Sequence, residues 1–407
     1  MVKYVPNILT FSGLFVNMSP RKKGLIKLIV EPVTIILISL LIIISGCAQS
    51  SRKDNRKDFY VKDFGAVGDG KTESIEGITA AIETAIRAGA GSRVIFESGI
   101  YKVTPTEKVR SFGNYLFCLK IDGAKDLVIE GSGETELIVN HPRTGVFDIE
   151  NSRNVTVRGL KIDMSPLPFT QGRVVATNTE EGTFDLLIDD GFPVLSDWQF
   201  DAAKEIYFRW GTVFDAVEDR PKAGMQDMIM IDSWDGVEGR TWRLNPRQDH
   251  RAAVADINVG DRFVHVARNA GQPAVMVFNS EKVTVEDITV YASVCEAVVL
   301  QTSKYVTIRG LNIRKRPGTG RLISTDSDGI HCDNSSHLLF ENCYMEGMDD
   351  DGINIHSRPY VVNEVLSPEK VAVTKAPYNR ADVGDTVQIE EPVHGVLLGE
   401  TKRRCRR

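Results

Sequence analysis

Six cysteines in 407 residues, none of them in CxxC spacing, exclude a zinc ribbon, a thioredoxin-like redox pair and a disulfide framework. Cys118, Cys295, Cys332, Cys343 and Cys405 read instead as small core residues. No apolar run reaches the ~20 residues that a membrane-spanning helix needs. Basic charge does not gather either. The net charge is -6, and the one basic run is the terminal Lys402-Arg403-Arg404-Cys405-Arg406-Arg407. A nucleic-acid partner is therefore not expected. Aromatic residues are few, and all four tryptophans (Trp198, Trp210, Trp234, Trp242) fall in one stretch. They read as filling for a small core ahead of a stacking platform for sugars.

The longest apolar run is Val33–Ile44, VTIILISLLIII, 12 residues. Arg21-Lys22-Lys23 precedes it and Ile44-Ser45-Gly46-Cys47 follows it. A positive segment, a short apolar segment and small residues before a cysteine make a bacterial lipoprotein signal, with Cys47 as the lipidated residue. Residues 1–47 are expected to be this signal, with Met18 a sufficient start, and 48–58 a polar tether. The expected product is an exported lipoprotein, held to a membrane by its anchor in the periplasm or on the outer-membrane surface. The abrupt basic character of the last residues has the look of a truncated or frame-shifted end.

Gly65–Thr72, GAVGDGKT, matches the phosphate-loop pattern and precedes a helical face of Ile75, Ile78, Ile82 and Ile86 closed by Gly89. An exported protein meets little nucleotide, and no later strand supplies a magnesium-binding aspartate, so nucleotide binding is not expected. The longer string DFGAVGDGKTESIEGITAAIETAI, with GSRVIFESGIYKV after it, resembles the opening of the pectate-lyase-like superfamily. That resemblance implies a helix capping a right-handed parallel β-helix.

The rest of the chain carries the same architecture in its repeats. Asp126-LVIEG, Asn154-VTVRG, Lys282-VTVED, Tyr305-VTIRG and His337-LLFEN are one unit: a polar residue, alternating apolar residues, a turn. Short alternating strands recurring every 20–30 residues without helices between them signal a solenoid of stacked strands. The fold class is accordingly all-β, a right-handed parallel β-helix with an N-terminal capping helix and an inserted antiparallel β-domain. The expected divisions are coils at 59–165, the insertion at 166–270, coils bearing the acids at 271–360, and a β-excursion at 361–407.

Asp328-Gly329-Ile330-His331 and Asp351-Gly352-Ile353-Asn354 begin one 23-residue step apart. In a solenoid that step places Asp328 and Asp351 on neighbouring rungs about 4.8 Å apart, with Asp350 beside them. Acids so close cannot all ionise easily, which suits general acid catalysis. A diagonal arrangement is expected to supply the roughly 6.5–9.5 Å that an inverting glycosidase keeps between acid and base.

The segment SDGIHCDNSSHLLFENCYMEGMDDDGINIH is similar to the polygalacturonase signature, although Asp326-Ser327 replaces Asn-Thr and no G-H-G or R-I-K follows. It looks closer to the β-helical inverting α-1,3-galactosidases, a family with a β-barrel inserted in the helix. The resemblance implies Asp350 as general acid and Asp328 with Asp351 holding the water, with no metal or cofactor and a galactose-terminated glycan as partner. His331, Asn354, His356 and Asp349 are substrate-binding candidates, Asn354 being expected by strand alternation to face the Asp350 or Gly352 side. Two alternatives remain: a polygalacturonase or calcium-dependent lyase of acidic glycans, with Arg358 the only nearby base for a lyase, and a glycan-binding β-helix without catalysis. Asp-Gly is also an ordinary turn pair.

Overall fold

The computed structural model describes residues 57–106, 116–202, 209–267, 271–374, 383–391 and 393–402, with a short strand at Val2–Tyr4. The apolar run, Cys47, most of the tether and Cys405 lie outside the described residues. Lys57 and Asp58, assigned above to the tether, already pair as strand Lys57–Tyr60 with Ser92–Ile95. Among the described residues no helix is long and apolar enough to cross a membrane.

Two parallel sheets form the body. One runs through Lys57–Tyr60, Ser92–Ile95, Lys125–Val139, Arg153–Met164, Glu281–Glu286, Lys304–Arg309 and Ser336–Glu341. The other stacks Phe117–Asp122, Gly145–Glu150, Val275–Phe278, Val298–Gln301, Ile330–Asp333 and Ile353–His356. Each strand meets its counterpart one coil later, so the chain winds as a parallel β-helix. Alternate side chains turn inward. Val298, Ile330, Leu300 and Cys332 are buried, as are Val283, Val306, Val285 and Ile308.

The repeat unit has a backbone cause. Its leading polar residues, Asp126, Asn154, Lys282, Tyr305 and His337, all sit at positive φ, between 51° and 58°. This left-handed turn follows a second recurring geometry. Ser152, Ser280, Ser303 and Ser335 line up inside the coil, each hydroxyl accepting a hydrogen bond from the backbone N–H one coil before: Ala124 N to Ser152 Oγ 3.0 Å, Ser152 N to Ser280 Oγ 3.0 Å, Ser280 N to Ser303 Oγ 3.1 Å, Ser303 N to Ser335 Oγ 3.1 Å. Buried turn amides are thereby satisfied where no strand ladder reaches them.

Helix Ile75–Ala88 buries Ile75, Ile78, Ala81, Ile82 and Ala85 against the first coils, and Gly89 ends it at φ 87°. The phosphate-loop lookalike in front of it is already occupied from within. Asp69 Oδ1 accepts the amides of Lys71 and Thr72 at 2.8 Å each, and these bonds hold its pKa down at about 2.

Arg153 and Glu281 are paired neighbours although a long excursion separates them in sequence. Within that excursion Phe169–Asn178, Thr183–Ile188, Thr241–Pro246, Ile229–Glu238, Trp210–Phe214 and Arg262–Val266 close an antiparallel barrel. Trp210 and Trp234 are buried in it, and Trp234 Nε1 donates to Leu195 O at 2.9 Å. Trp242 packs against the core partly buried, while Trp198 is exposed beside His141.

Two later coils differ in length. Glu281 pairs with Lys304, 23 residues on, whereas Lys304 pairs with Ser336, 32 residues on. The longer coil carries a loop after Ile313 that reaches the barrel. Gln171 donates to Gly320 O and accepts from Leu322 N, both at 2.9 Å, and Lys315 pairs with Asp219 at 3.2 Å. Arg316 and Arg321 meet at Asp163 (2.6 and 2.7 Å), and Arg316 also pairs with Glu136. Beyond the coils, Val361–Ser367 with Lys370–Thr374 and Thr386–Glu391 with Val396–Lys402 form antiparallel hairpins.

Candidate active site

Three successive coils enter the second sheet through the same kind of turn. Thr325 bridges both Ser293 and Met348, and Ile330 pairs with both Val298 and Ile353. The turns therefore align as Ser293-Val-Cys-Glu-Ala-Val298, Thr325-Asp-Ser-Asp-Gly-Ile330 and Met348-Asp-Asp-Asp-Gly-Ile353. Asp328 and Asp351 stand on adjacent rungs, joined by Gly329 N to Asp351 O at 2.9 Å. Gly329 is needed at this crossing, because a Cβ there would come within 2.6 Å of Gly352 O.

Asp328, Asp350 and Asp351 converge. One oxygen from each lies within 4.8 Å of the others. Asp328 is buried and Asp350 and Asp351 are exposed, so the cluster opens outward from its buried member. The wide diagonal gap expected between acid and base is not found among these three. Stacking on adjacent rungs sets their separation, and adjacent rungs are only about 4.8 Å apart.

The third acid of the triplet is placed differently. Asp349 is in register with Asp326, which is fully buried, and with buried Val294. Its N–H donates to Thr325 O at 3.1 Å, its side chain hydrogen-bonds Thr212 of the barrel, and its Oδ2 is enclosed without a hydrogen-bond partner. Burial lifts its pKa to about 7; the Thr212 bond opposes this, and the charges of Asp350 and Asp227 add to it.

A line of polar groups leads away from Asp328. His331 Nδ1 lies 2.6 Å from Asp328 Oδ2, and His331 Nε2 lies 2.8 Å from His356 Nε2. Two ring nitrogens at that distance share one proton. Burial holds the His356 pKa below the ordinary histidine value, with Asp333 opposing and His331 reinforcing the shift. Asp333 is buried and accepts from Gln301 Nε2 at 3.1 Å and Arg358 Nε at 2.7 Å. Arg358, the base candidate of the lyase reading, thus reaches toward Asp333. Asn354 donates to Asp351 at 3.2 Å, on the side where Asp350 and Asp351 converge.

Sequence reasoning missed Glu296. It occupies the Asp328 and Asp351 position one coil earlier, and one of its oxygens lies within 4.8 Å of donor atoms of Asp328 and His331. Cys295 Sγ donates to its Oε2 at 2.6 Å and Ser327 Oγ to its Oε1 at 3.3 Å. Its signal was the 32-residue step from Asp328, hidden because Ala297 stands where the other turns have glycine. Carboxylates so grouped suit either proton transfer or a hard cation completed by water.

A family described as a right handed beta helix region matches residues 264–365. Alpha-1,3-galactosidase A of Shewanella woodyi is 23% identical over 358 residues, covering 83% of this chain and 57% of that protein. Alpha-1,3-galactosidase B of Bacteroides thetaiotaomicron is 24% identical over 364 residues, covering 83% and 56%. Among solved structures, a family 28 exopolygalacturonase of Yersinia enterocolitica is similar at 16% identity, 74% and 45% coverage and a TM-score of 0.35. The chain spans just over half the length of these two curated relatives. By sequence it is similar, through most of its own length, to bacterial α-1,3-galactosidases.

Proposed function

We propose that this chain is a glycoside hydrolase that releases terminal α-linked galactose from glycans, using carboxyl groups and no metal. The observation that carries the reading is the convergence of Asp328, Asp350 and Asp351 in a chain similar to α-1,3-galactosidases. Asp350, exposed and next to two other acids, protonates the leaving oxygen as the C1–O bond breaks. Asp328 with Asp351 holds the attacking water, Asp328 being oriented by His331 and Asp351 by Asn354. Asp349 supports the turn from behind, and His356 steadies His331. In this reading the helix Ile75–Ala88 caps the β-helix, the barrel is an inserted domain, and the chain is exported and anchored at Cys47. Reaction occurs with inversion at C1.

The test is turnover of aryl α-galactosides, α-1,3-galactosyl oligosaccharides and pectin, with NMR of the first-formed anomer. Release of β-galactose is expected, and Asp350→Asn should lose the oligosaccharide activity. Cleavage of pectin alone, or unimpaired turnover by Asp350→Asn, would reject the reading.

A further inference from the structure

The barrel meets the acid-bearing turn at three points. Thr212 hydrogen-bonds the side chain of Asp349, and the charge of Asp227 reaches the same group. Lys315, packed over Gly347, lies 3.2 Å from Asp219 of the barrel and 4.0 Å from Glu346. The connection between Trp210–Phe214 and Ile229–Glu238 therefore runs alongside the turn that carries the acids.

That connection is held firmly around Asp227. Lys222 Nζ donates to Asp261 Oδ2 and to Asp256 O at 2.7 Å each, Gln226 Nε2 lies 2.5 Å from His250 Nδ1, and Arg247 N donates to Met230 O at 2.8 Å. Met228, next to Asp227, sits at φ 51°, the one residue other than glycine at positive φ among the described residues between Phe169 and Val266. So bulky a residue is strained there, and such strain persists only where the surroundings impose it. Asp227 itself is exposed, and among the described residues no hydrogen bond or ion pair occupies its carboxylate.

Proton transfer decides which side of the scissile bond this wall faces. Asp350 protonates the leaving oxygen, so the leaving sugar lies on the Asp350 side. The turn runs back from the strand at Ile353 through Asp351 and Asp350 to Asp349, which touches the barrel. His331 and Asn354 belong to the strands on the opposite side.

We propose that Asp227 is a specificity-determining residue that binds a hydroxyl of the leaving sugar, so that the barrel reads the unit to which the terminal galactose is attached. This rests on the hydrolase reading above. A carboxylate only accepts hydrogen bonds, and a ring hydroxyl supplies the donor. A bond of that kind is charge-assisted and directional, which suits it to telling one leaving sugar from another. The ligand it selects is a glycan with a hydroxylated ring beyond the scissile bond, as distinct from a galactoside of any alcohol.

The experiment measures kcat and KM of Asp227→Ala and Asp227→Asn in the full chain on an α-1,3-linked galactobiose and on nitrophenyl α-galactoside, which carries no leaving sugar. On galactobiose Asp227→Ala is expected to lose about 10- to 100-fold in kcat/KM, the worth of one hydrogen bond to a charged group. Its loss on the aryl substrate is expected to be at least tenfold smaller. Galactobiose analogues that each lack one hydroxyl of the leaving ring then identify the contact. One of them should be as poor for the parent as intact galactobiose is for Asp227→Ala, and its missing hydroxyl should cost the variant nothing further. A merely structural role would not produce that match. Asp227→Asn, which keeps the side chain's shape, gives the same comparison if the alanine variant does not fold. A loss shared equally by both substrates, or galactobiose turnover within threefold of the parent, overturns the proposal. Failure of the hydrolase reading looks different: the parent chain itself then releases no galactose from either substrate.

Discussion

Asp349 and Asp326 occupy the same position on neighbouring coils, set there by the bridge between Thr325 and Met348. Three adjacent aspartates are thereby sorted by geometry. Asp349 points into the fold toward Thr212 of the barrel, and exposed Asp350 and Asp351 converge on buried Asp328.

Asp349→Asn tests that sorting. Burial raises Asp349 to about 7 in the folded chain, against ~3.9 when unfolded. Below about pH 4 it is protonated in both states and contributes no difference. Between about 4 and 7 only the folded state keeps the proton, so stability falls as pH rises through that window and stays lowered above it. Asparagine removes the penalty. Urea midpoints at pH 4 and pH 8 should show the variant gaining on the parent at the higher pH, with turnover within about tenfold. Buried Asp148, also raised to about 7 by burial, is present in both proteins and cancels.

His331→Phe removes the group that orients Asp328. If His331 positions the acid, kcat falls ~10²-fold while KM changes little, since small displacements of a reacting group are that costly. An unchanged kcat with a raised KM would instead make His331 a sugar contact.

Ser303→Ala leaves the buried N–H of Ser280 without its acceptor. A loss of ~1–3 kcal/mol in unfolding free energy is expected, measured by urea titration, with activity retained in the folded fraction. The same change at Ser98, an exposed serine outside the ladder, should be close to neutral.

Removal of divalent cations by EDTA is expected to leave turnover of an aryl α-galactoside unchanged. The carboxylates are close enough to share a cation, so activity that vanishes with chelation and returns with calcium would favour the lyase chemistry.

The fold was legible where one backbone requirement repeats. Asp126, Asn154, Lys282, Tyr305 and His337 look unlike one another, yet each heads an alternating strand because each takes the same left-handed turn. Asp328 over Asp351 was legible for the same reason. The fate of Asp349 was not, because its partner Thr212 comes from the barrel, far away in sequence. Glu296 was hidden by Ala297, which breaks the Asp-Gly pattern without changing the register.

The coils around the acids share one register although one of them is 9 residues longer than its neighbours. The extra length is spent outside the sheets, in the loop that carries Gly320 and Leu322 to Gln171. Length and register are therefore separable in heredity. Insertions and deletions in that loop can alter how it seats on Gln171, while the stacked rungs keep the carboxyl groups in line.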